Sequence, residues 1–336
     1  MTDLAATAQA LVAPGKGILA ADESIPTMSA RLEAAGVTAT EETRRAYREL
    51  LVTTPELSEG ISGVILCDET LRQRVSGGAT FPDALADAGI QAGIKVDAGT
   101  RPLAGSPGET ITEGLDGLPA RLREYAGLGA SFAKWRAVLR IGSGMPSAVA
   151  VRANAQALAR YAASCHEAGL VPIVEPEVLM DGAHSLGTCE TATTLILLEV
   201  MSELADYEVD LDGVVLKPNM VLPGKDSPAD AGPGEVAVAT LRALGGVPAR
   251  LAGVAFLSGG QSPQRATANL AAMQEHPHIW PLTFSFGRAL VDPALAGWHG
   301  DPACWQDGQR ELARRVAMNV AALTGSYRPE HELDPA

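Results

Sequence analysis

Apolar positions along the chain alternate between two spacings. Short, nearly continuous apolar runs bounded by glycine or proline mark strands buried on both faces. They occur in GILAADES (Gly17 to Ser24), GVILC (Gly63 to Cys67), GIKVD (Gly93 to Asp97), SFAKWRAVL (Ser131 to Leu139), VPIVEPEV (Val171 to Val178), GVVLKPNMV (Gly213 to Val221), GVAFLSGG (Gly253 to Gly260) and PLTFSFGR (Pro281 to Arg288). Helical spacing predicts helices at Leu4 to Val12, Ser29 to Ala35, Glu41 to Val52, Leu118 to Leu128, Ser147 to Ala168, Thr191 to Leu204, Glu235 to Leu244, Ser262 to Gln274 and Trp305 to Leu323. Strands that alternate with helices form βα units and a parallel sheet. Eight of them predict a closed (β/α)8 TIM barrel, with residues 1–336 as one domain. The stretch from Ala98 to Gly117, rich in Gly, Pro and Thr, reads as a loop covering one end. Within Glu41 to Val52, the acids Glu41, Glu42 and Glu49 interleave with Arg44, Arg45 and Arg48, the pattern of a solvated, ion-paired face.

Composition narrows the function. The 336 residues are 46% hydrophobic, ample for a large core, and carry a formal net charge of −14. That balance argues against nucleic acid or an anionic membrane as partner, yet leaves room for a small anionic substrate in a locally basic cleft. The opening MTDLAATAQALVAPGKG lacks the features of a signal peptide, and no apolar run reaches the roughly 18 residues of a membrane span. Four scattered cysteines without metal-type spacing suit a reduced, cytoplasmic enzyme. No GxGxxG follows the first strand, and PGKG at Pro14 to Gly17 lacks the remainder of a phosphate loop.

Polar residues on barrel strands stand out because inward positions are otherwise filled by Val, Ile and Leu. Lys217 ends the sixth strand, at the face where barrels keep their active sites. A lysine desolvated there, beside another cation, has its neutral form favoured, and the neutral amine condenses with carbonyls. Taken alone, the stretch fits a solvated strand-end lysine better; the rest of the chain reverses that preference. Lys134 and Arg136 share a face of the fourth strand, and Glu175 and Glu177 share one of the fifth. Two cations beside two anions balance in a polar pocket. Lys134 and Glu175 read as functional, whereas Arg136 and Glu177 read equally as supporting charges. Asp22 ends strand one, near strand eight on closure, either as a reacting group or as a helix cap. Lys95 and Asp97 lie side by side at the rim and are not expected to pair. Ser258-Gly259-Gly260 and Gly287-Arg288 follow strands seven and eight, where barrels often bind phosphate. Glycines let backbone N–H groups approach, and arginine offers a fork. A Schiff-base lysine, a second lysine, carboxylates and a phosphate cradle together fit carbon–carbon bond making and breaking next to a ketone.

The segments APGKGILAADES (Ala13 to Ser24), GIKVDAG, FAKWR, VPIVEPE, LKPNMV, FLSGGQS (Phe256 to Ser262) and SFGRAL (Ser285 to Leu290) resemble, in order and over nearly the whole chain, those of class I fructose-1,6-bisphosphate aldolases. The resemblance implies a cytoplasmic homotetramer that uses no cofactor and no metal and acts on phosphorylated sugars. It implies Lys217 as the Schiff-base residue and Glu175 as the acid/base at the carbinolamine. It implies Asp22 as handler of the hydroxyl proton when C3–C4 breaks, and Lys134 as support for the developing charge. Ser258, Gly259, Gly260, Ser285, Gly287 and Arg288 would bind one phosphate. Arg31, Lys95, Ser24 and Thr27 would lie nearer the second. The chain departs from the familiar pattern at Pro26, Ala30, Ala98 and Phe286, and no tyrosine follows Tyr327, whereas animal members end in one. Two outcomes are open: Glu175, acting through a bound water, protonates the enamine, which is the favoured expectation, or protonation becomes the slow step and the enamine accumulates. An aldolase for another ketose phosphate, or a non-catalytic barrel, are the competing readings; retention of every reacting residue argues against the second.

Overall fold

A computed structural model describes residues 3–333. Eight strands close a parallel barrel: β1 (Gly17–Ala20), β2 (Ile61–Leu66), β3 (Gln91–Lys95), β4 (Phe132–Leu139), β5 (Val171–Val178), β6 (Val215–Leu216), β7 (Gly253–Phe256) and β8 (Leu282–Phe286). Each pairs in parallel with its neighbours in sequence, and β1 pairs with β8. Helices run outside between consecutive strands, as the alternating pattern predicts.

The lumen is filled in layers. Its floor is apolar: Leu11 and Val12, from the end of the opening helix Leu4–Leu11, meet Ile18, Ile65, Phe132, Val171, Ile173, Val215 and Ala255 in one buried cluster. Above it, two positions further along the strands, the inward side chains turn polar: Lys95 above Gly93, Lys134 above Phe132, Glu175 above Ile173, Lys217 above Val215. Outward residues of the same strands, such as Trp135 and Val174, join the second cluster under the helices. Phe132 occupies the space that side chains on neighbouring strands would otherwise fill. A Cβ at Gly93 would come within 2.1 Å of its ring, and one at Gly63 within 3.1 Å.

Several boundaries differ from expectation for local reasons. The helix expected from Ser29 begins at Ile25, because the Ser24 hydroxyl caps it and Pro26 sits in its first turn, where a missing N–H costs nothing. The helix expected from Thr191 begins at Leu186, capped by Ser185. The helix Arg288–Trp298 was not foreseen, since Pro293 and Gly297 interrupt its pattern. The Ala98 to Gly117 stretch does line the top of the barrel and contains a small hairpin, Thr100–Pro102 with Thr110–Thr112. The hairpin is fastened along β4 by Thr112 donating to the Arg136 carbonyl (2.8 Å), and Glu109 accepts from the Ser147 N–H (2.7 Å). The face of Glu41–Val52 is not uniformly solvated. Arg45 makes the foreseen pairs with Glu42 and Glu49, but Glu49 is buried and Arg48 is only 2% exposed, reaching Glu23 beside the barrel at 2.8 Å.

After the closing helix Trp305–Leu323 the chain stays against the body. Arg315 pairs with Glu332 at 2.5 Å, and the Tyr327 hydroxyl donates to the other Glu332 oxygen at 3.2 Å. Asp334 to Ala336 lie outside the described residues.

The packing of Phe132 against Gly93 predicts that Gly93→Ala destabilises the protein by about 1–3 kcal/mol, as overpacking does. Urea unfolding measures this. Adding Phe132→Leu should return part of the loss, whereas an additive double mutant would mean that the ring is not what the methyl meets.

Candidate active site

The polar layer opens into a cavity of ≈ 790 Å³ at the C-terminal ends of the strands. Of the residues singled out in the sequence, all but Gly260 line it: Lys217, Glu175, Asp22, Lys134, Glu177, Lys95 and Arg136 from the strands, Ser258, Gly259, Ser285, Gly287 and Arg288 from the last two strand ends, and Ser24, Thr27 and Arg31 from the first βα unit. Gly260 faces an adjoining cavity of ≈ 500 Å³ that shares Gly259 as its wall.

Glu175 lies at the centre. One oxygen is 3.2 Å from Lys134 Nζ and the other 3.5 Å from Lys217 Nζ. All three side chains are buried, Lys217 to 3% and Lys134 to 4% exposure. The two lysines nevertheless differ. Lys134 also sits 2.6 Å from Asp22. Burial opposes its charge, but Asp22, Glu175 and Asp97 together outweigh that and hold the ammonium more firmly protonated than usual. Lys217 has only the longer contact to Glu175. Burial is the largest influence and pushes its affinity for a proton down; Glu175 resists this, and the neighbouring Lys134 cation adds to it. Asp22 shows the complementary effect. Burial would raise its pKa, but Lys134 and Lys217 lower it to about 2. Asp22 is not a helix cap; Ser24 takes that place.

The remaining charges are also paired. Arg136 Nε donates to Glu177 at 2.5 Å. Lys95 donates to Asp97 at 2.5 Å, against the expectation that neighbours two apart at the rim would not meet. The pair forms because Asp97 lies past the end of β3, off the strand's alternation, so that its carboxylate turns back toward Lys95 and also accepts from the Gly99 N–H (3.1 Å). Lys95, Lys134, Arg136 and Lys217 are thus matched by Asp22, Asp97, Glu175 and Glu177. Arg31 lines the cavity with its guanidinium engaged by Glu23 and Asp292. Sequence reasoning passed over Glu23, and it read Arg48 and Asp97 without the pairs they make. Adjacency to Asp22 and Lys95 was the available signal for Glu23 and Asp97; Arg48 had none, because its helix reads as a surface one.

At the opposite wall, the side chain of Arg288 has no carboxylate partner among the described residues. Ser285 Oγ is buried without a hydrogen-bond partner, and the helix Arg288–Trp298 starts at the cavity wall, which Gly287 and Arg288 line. Gly259 and Gly260 both adopt positive φ (+56° and +81°), a conformation open to glycine, and without a Cβ they let an anion approach the backbone N–H groups closely. This donor set suits a phosphate.

Ligand atoms of His299, Asp301 and Cys304 lie within 4.8 Å of one another. They follow the far end of the helix Arg288–Trp298, about 16 Å along its axis from the cavity, and take no part in this site.

Comparison with known proteins agrees with the geometry. The family model described as fructose-bisphosphate aldolase class-I matches residues 3–335. A probable fructose-bisphosphate aldolase class 1 of Xanthomonas campestris is 51% identical over 328 residues, 97% of this chain and 98% of that protein. Fructose-bisphosphate aldolase B of Gallus gallus is 49% identical over 98% of this chain and 92% of its own length. The solved aldolase of Plasmodium falciparum, in complex with TRAP and a small-molecule inhibitor, superposes with a TM-score of 0.95 at 43% identity, over 97% of this chain and 95% of that one. The chain belongs to the class-I fructose-bisphosphate aldolase family, metal-independent lyases that work through a Schiff base.

Proposed function

We propose that Lys217 attacks the C2 ketone of fructose 1,6-bisphosphate and that the iminium it forms drives reversible cleavage to dihydroxyacetone phosphate and glyceraldehyde 3-phosphate. The observation that carries this reading is the sharing of Glu175 by two buried lysines of opposite character. The amine of Lys217 adds to the carbonyl; Glu175 supplies the proton with which water leaves the carbinolamine. Lys134, held cationic, stabilises the oxygen as it gains charge. Asp22 takes the C4 hydroxyl proton while the C3–C4 electron pair moves into the iminium. Its pairing with Lys134 makes Asp22 a weak base. A substrate hydroxyl arriving between them loosens that pair and restores basicity. Glu177 acts through Arg136, which it orients. Ser258, Gly259, Gly260, Ser285, Gly287 and Arg288 hold the C1 phosphate. Ser24, Thr27, Arg31 and Lys95 face the C6 phosphate, with Arg31 and Lys95 released by it from their acidic partners.

We also infer that the whole chain folds as one domain and assembles as a homotetramer. The second inference is supported by exposed Val149, Leu195 and Leu198 on the adjacent helices Ala148–Glu167 and Leu186–Asp206. Four free cysteines, two of them buried, fit a cytoplasmic setting. No helix among the described residues is long and apolar enough to cross a membrane.

Borohydride added with dihydroxyacetone phosphate should trap a covalent adduct on Lys217, located by peptide mapping, and Lys217→Met should lower turnover by more than about 10³-fold. Label on Lys134 or Lys95 would refute the assignment.

Trapping should depend on pH in a defined way. Its rate rises as pH climbs through the lowered pKa of Lys217, where the amine becomes neutral. Lys134→Met removes a cation and leaves Glu175 wholly to Lys217, so both changes raise that pKa. The acid limb of the trapping profile should move to higher pH; an unmoved limb would disprove the coupling.

Enamine protonation is assigned to Glu175 through a water. Tyr327 is only 8% exposed, does not line the cavity, and is pushed up to about 12 by burial and Glu332. Deleting Pro329 to Ala336 would leave Arg315 buried without Glu332, so point variants give the cleaner test. Glu175→Gln should slow exchange of the product's methylene hydrogen in heavy water by about 10²–10⁴-fold, and Tyr327→Phe should leave it unchanged. The reverse pattern would assign the proton to the tail.

A further inference from the structure

We propose that Lys225 is a second cation of the C1-phosphate subsite and a determinant of affinity for substrates phosphorylated there; the inference rests on the reading of that subsite given above. The loop after β6 is stitched to the loop after β5. Gly224 N–H donates to the His184 carbonyl (2.8 Å), Lys225 N–H to that of Met180 (2.8 Å) and Asp226 N–H to that of Gly182 (3.0 Å). The approach is so close that a Cβ at Gly224 would lie 2.1 Å from the Gly182 oxygen. The backbone of Lys225 is therefore fixed, and its side chain crosses toward Gly260.

The position of a Cβ at Gly260 would be 3.3 Å from Arg288 Nη2 and 3.7 Å from Lys225 Nζ. The two cations accordingly flank this glycine, no more than about 7 Å apart. That gap is spanned by a phosphate, whose oxygens accept from both sides. Neither cation is neutralised strongly. Arg288 has no carboxylate partner among the described residues, and Lys225 meets only Asp181, at 3.5 Å, with both side chains more than half exposed. An exposed pair of this kind holds its partners weakly. Lys225 also lines the cavity that shares Gly259 with the active site. A phosphate seated on the Gly259 and Gly260 N–H groups thus draws Lys225 from Asp181, adding charge on the side of the glycine turn that Arg288 does not reach.

The experiment compares Lys225→Gln, Lys225→Arg and Arg288→Gln by steady-state kinetics on fructose 1,6-bisphosphate and fructose 1-phosphate, with inhibition by inorganic phosphate. Lys225→Gln should raise KM about tenfold on both ketoses and weaken phosphate inhibition in step, with kcat within twofold. Lys225→Arg should recover most of the loss, because a mobile cation suffices. Unchanged KM in Lys225→Gln with a raised KM in Arg288→Gln overturns the role of Lys225 and leaves the subsite standing. Unchanged KM in both removes the subsite itself. A fall in kcat without a change in KM also overturns the proposal, since it would assign Lys225 to the chemistry or to loop order instead.

Discussion

The site depends on one carboxylate divided between two buried amines. A lysine buried without a counter-charge loses its proton; one buried against two carboxylates keeps it. Glu175 alone would treat Lys134 and Lys217 alike. The difference arises because Asp22 reaches only Lys134, at 2.6 Å, and leaves Lys217 with a single contact at 3.5 Å. One pocket thereby contains an amine inclined to be neutral and another fixed as a cation, the nucleophile and the electrostatic support that carbonyl addition requires.

Such a pocket is tolerable only because the barrel prepares for it. Side chains alternate along each strand, so inward residues fall into layers. The apolar layer of Phe132, Ile173, Val215 and their neighbours seals the floor, and the charged layer stands directly on it. Four cations match four carboxylates in this layer. Removing Asp22 or Glu175 leaves a buried lysine without its counter-charge, a cost that does not apply to the partly exposed Lys95 and Arg136 at the rim.

How much could be read in advance follows from the same geometry. Polar residues at inward strand positions were visible because the period is fixed and the alternative is Val or Ile; Lys134 and Glu175 stood out on that ground, whereas Lys217, at a strand end, needed the rest of the chain beside it. Their gathering in one cavity followed from closure. What escaped notice depends on packing between segments distant in the chain or on a strand's end. The Asp97 carboxylate folds back on Lys95 because the strand has ended. Arg48 looks solvated on its own helix, yet is buried by what packs over it. Arg31 has partners from positions 23 and 292, which no local pattern connects. Lys225 sits in a loop whose placement is set by hydrogen bonds to a second loop.

The separation of binding from chemistry has an electrostatic reason. The catalytic layer is formally balanced with Lys217 protonated, and one negative charge in excess once that amine is neutral. It therefore offers a phosphate no net attraction beyond what Lys95 gives at the rim, and a phosphate beside Lys217 would favour its ammonium form and quench the nucleophile. Attraction must come from cations outside the layer, among them Arg288 at the glycine turn, backed by N–H groups that carry no titratable charge. With a net charge of −14 over the chain, these local groups, not the overall charge, draw an anionic substrate in. Holding the phosphates at the periphery thus secures affinity while the amine at the centre stays reactive.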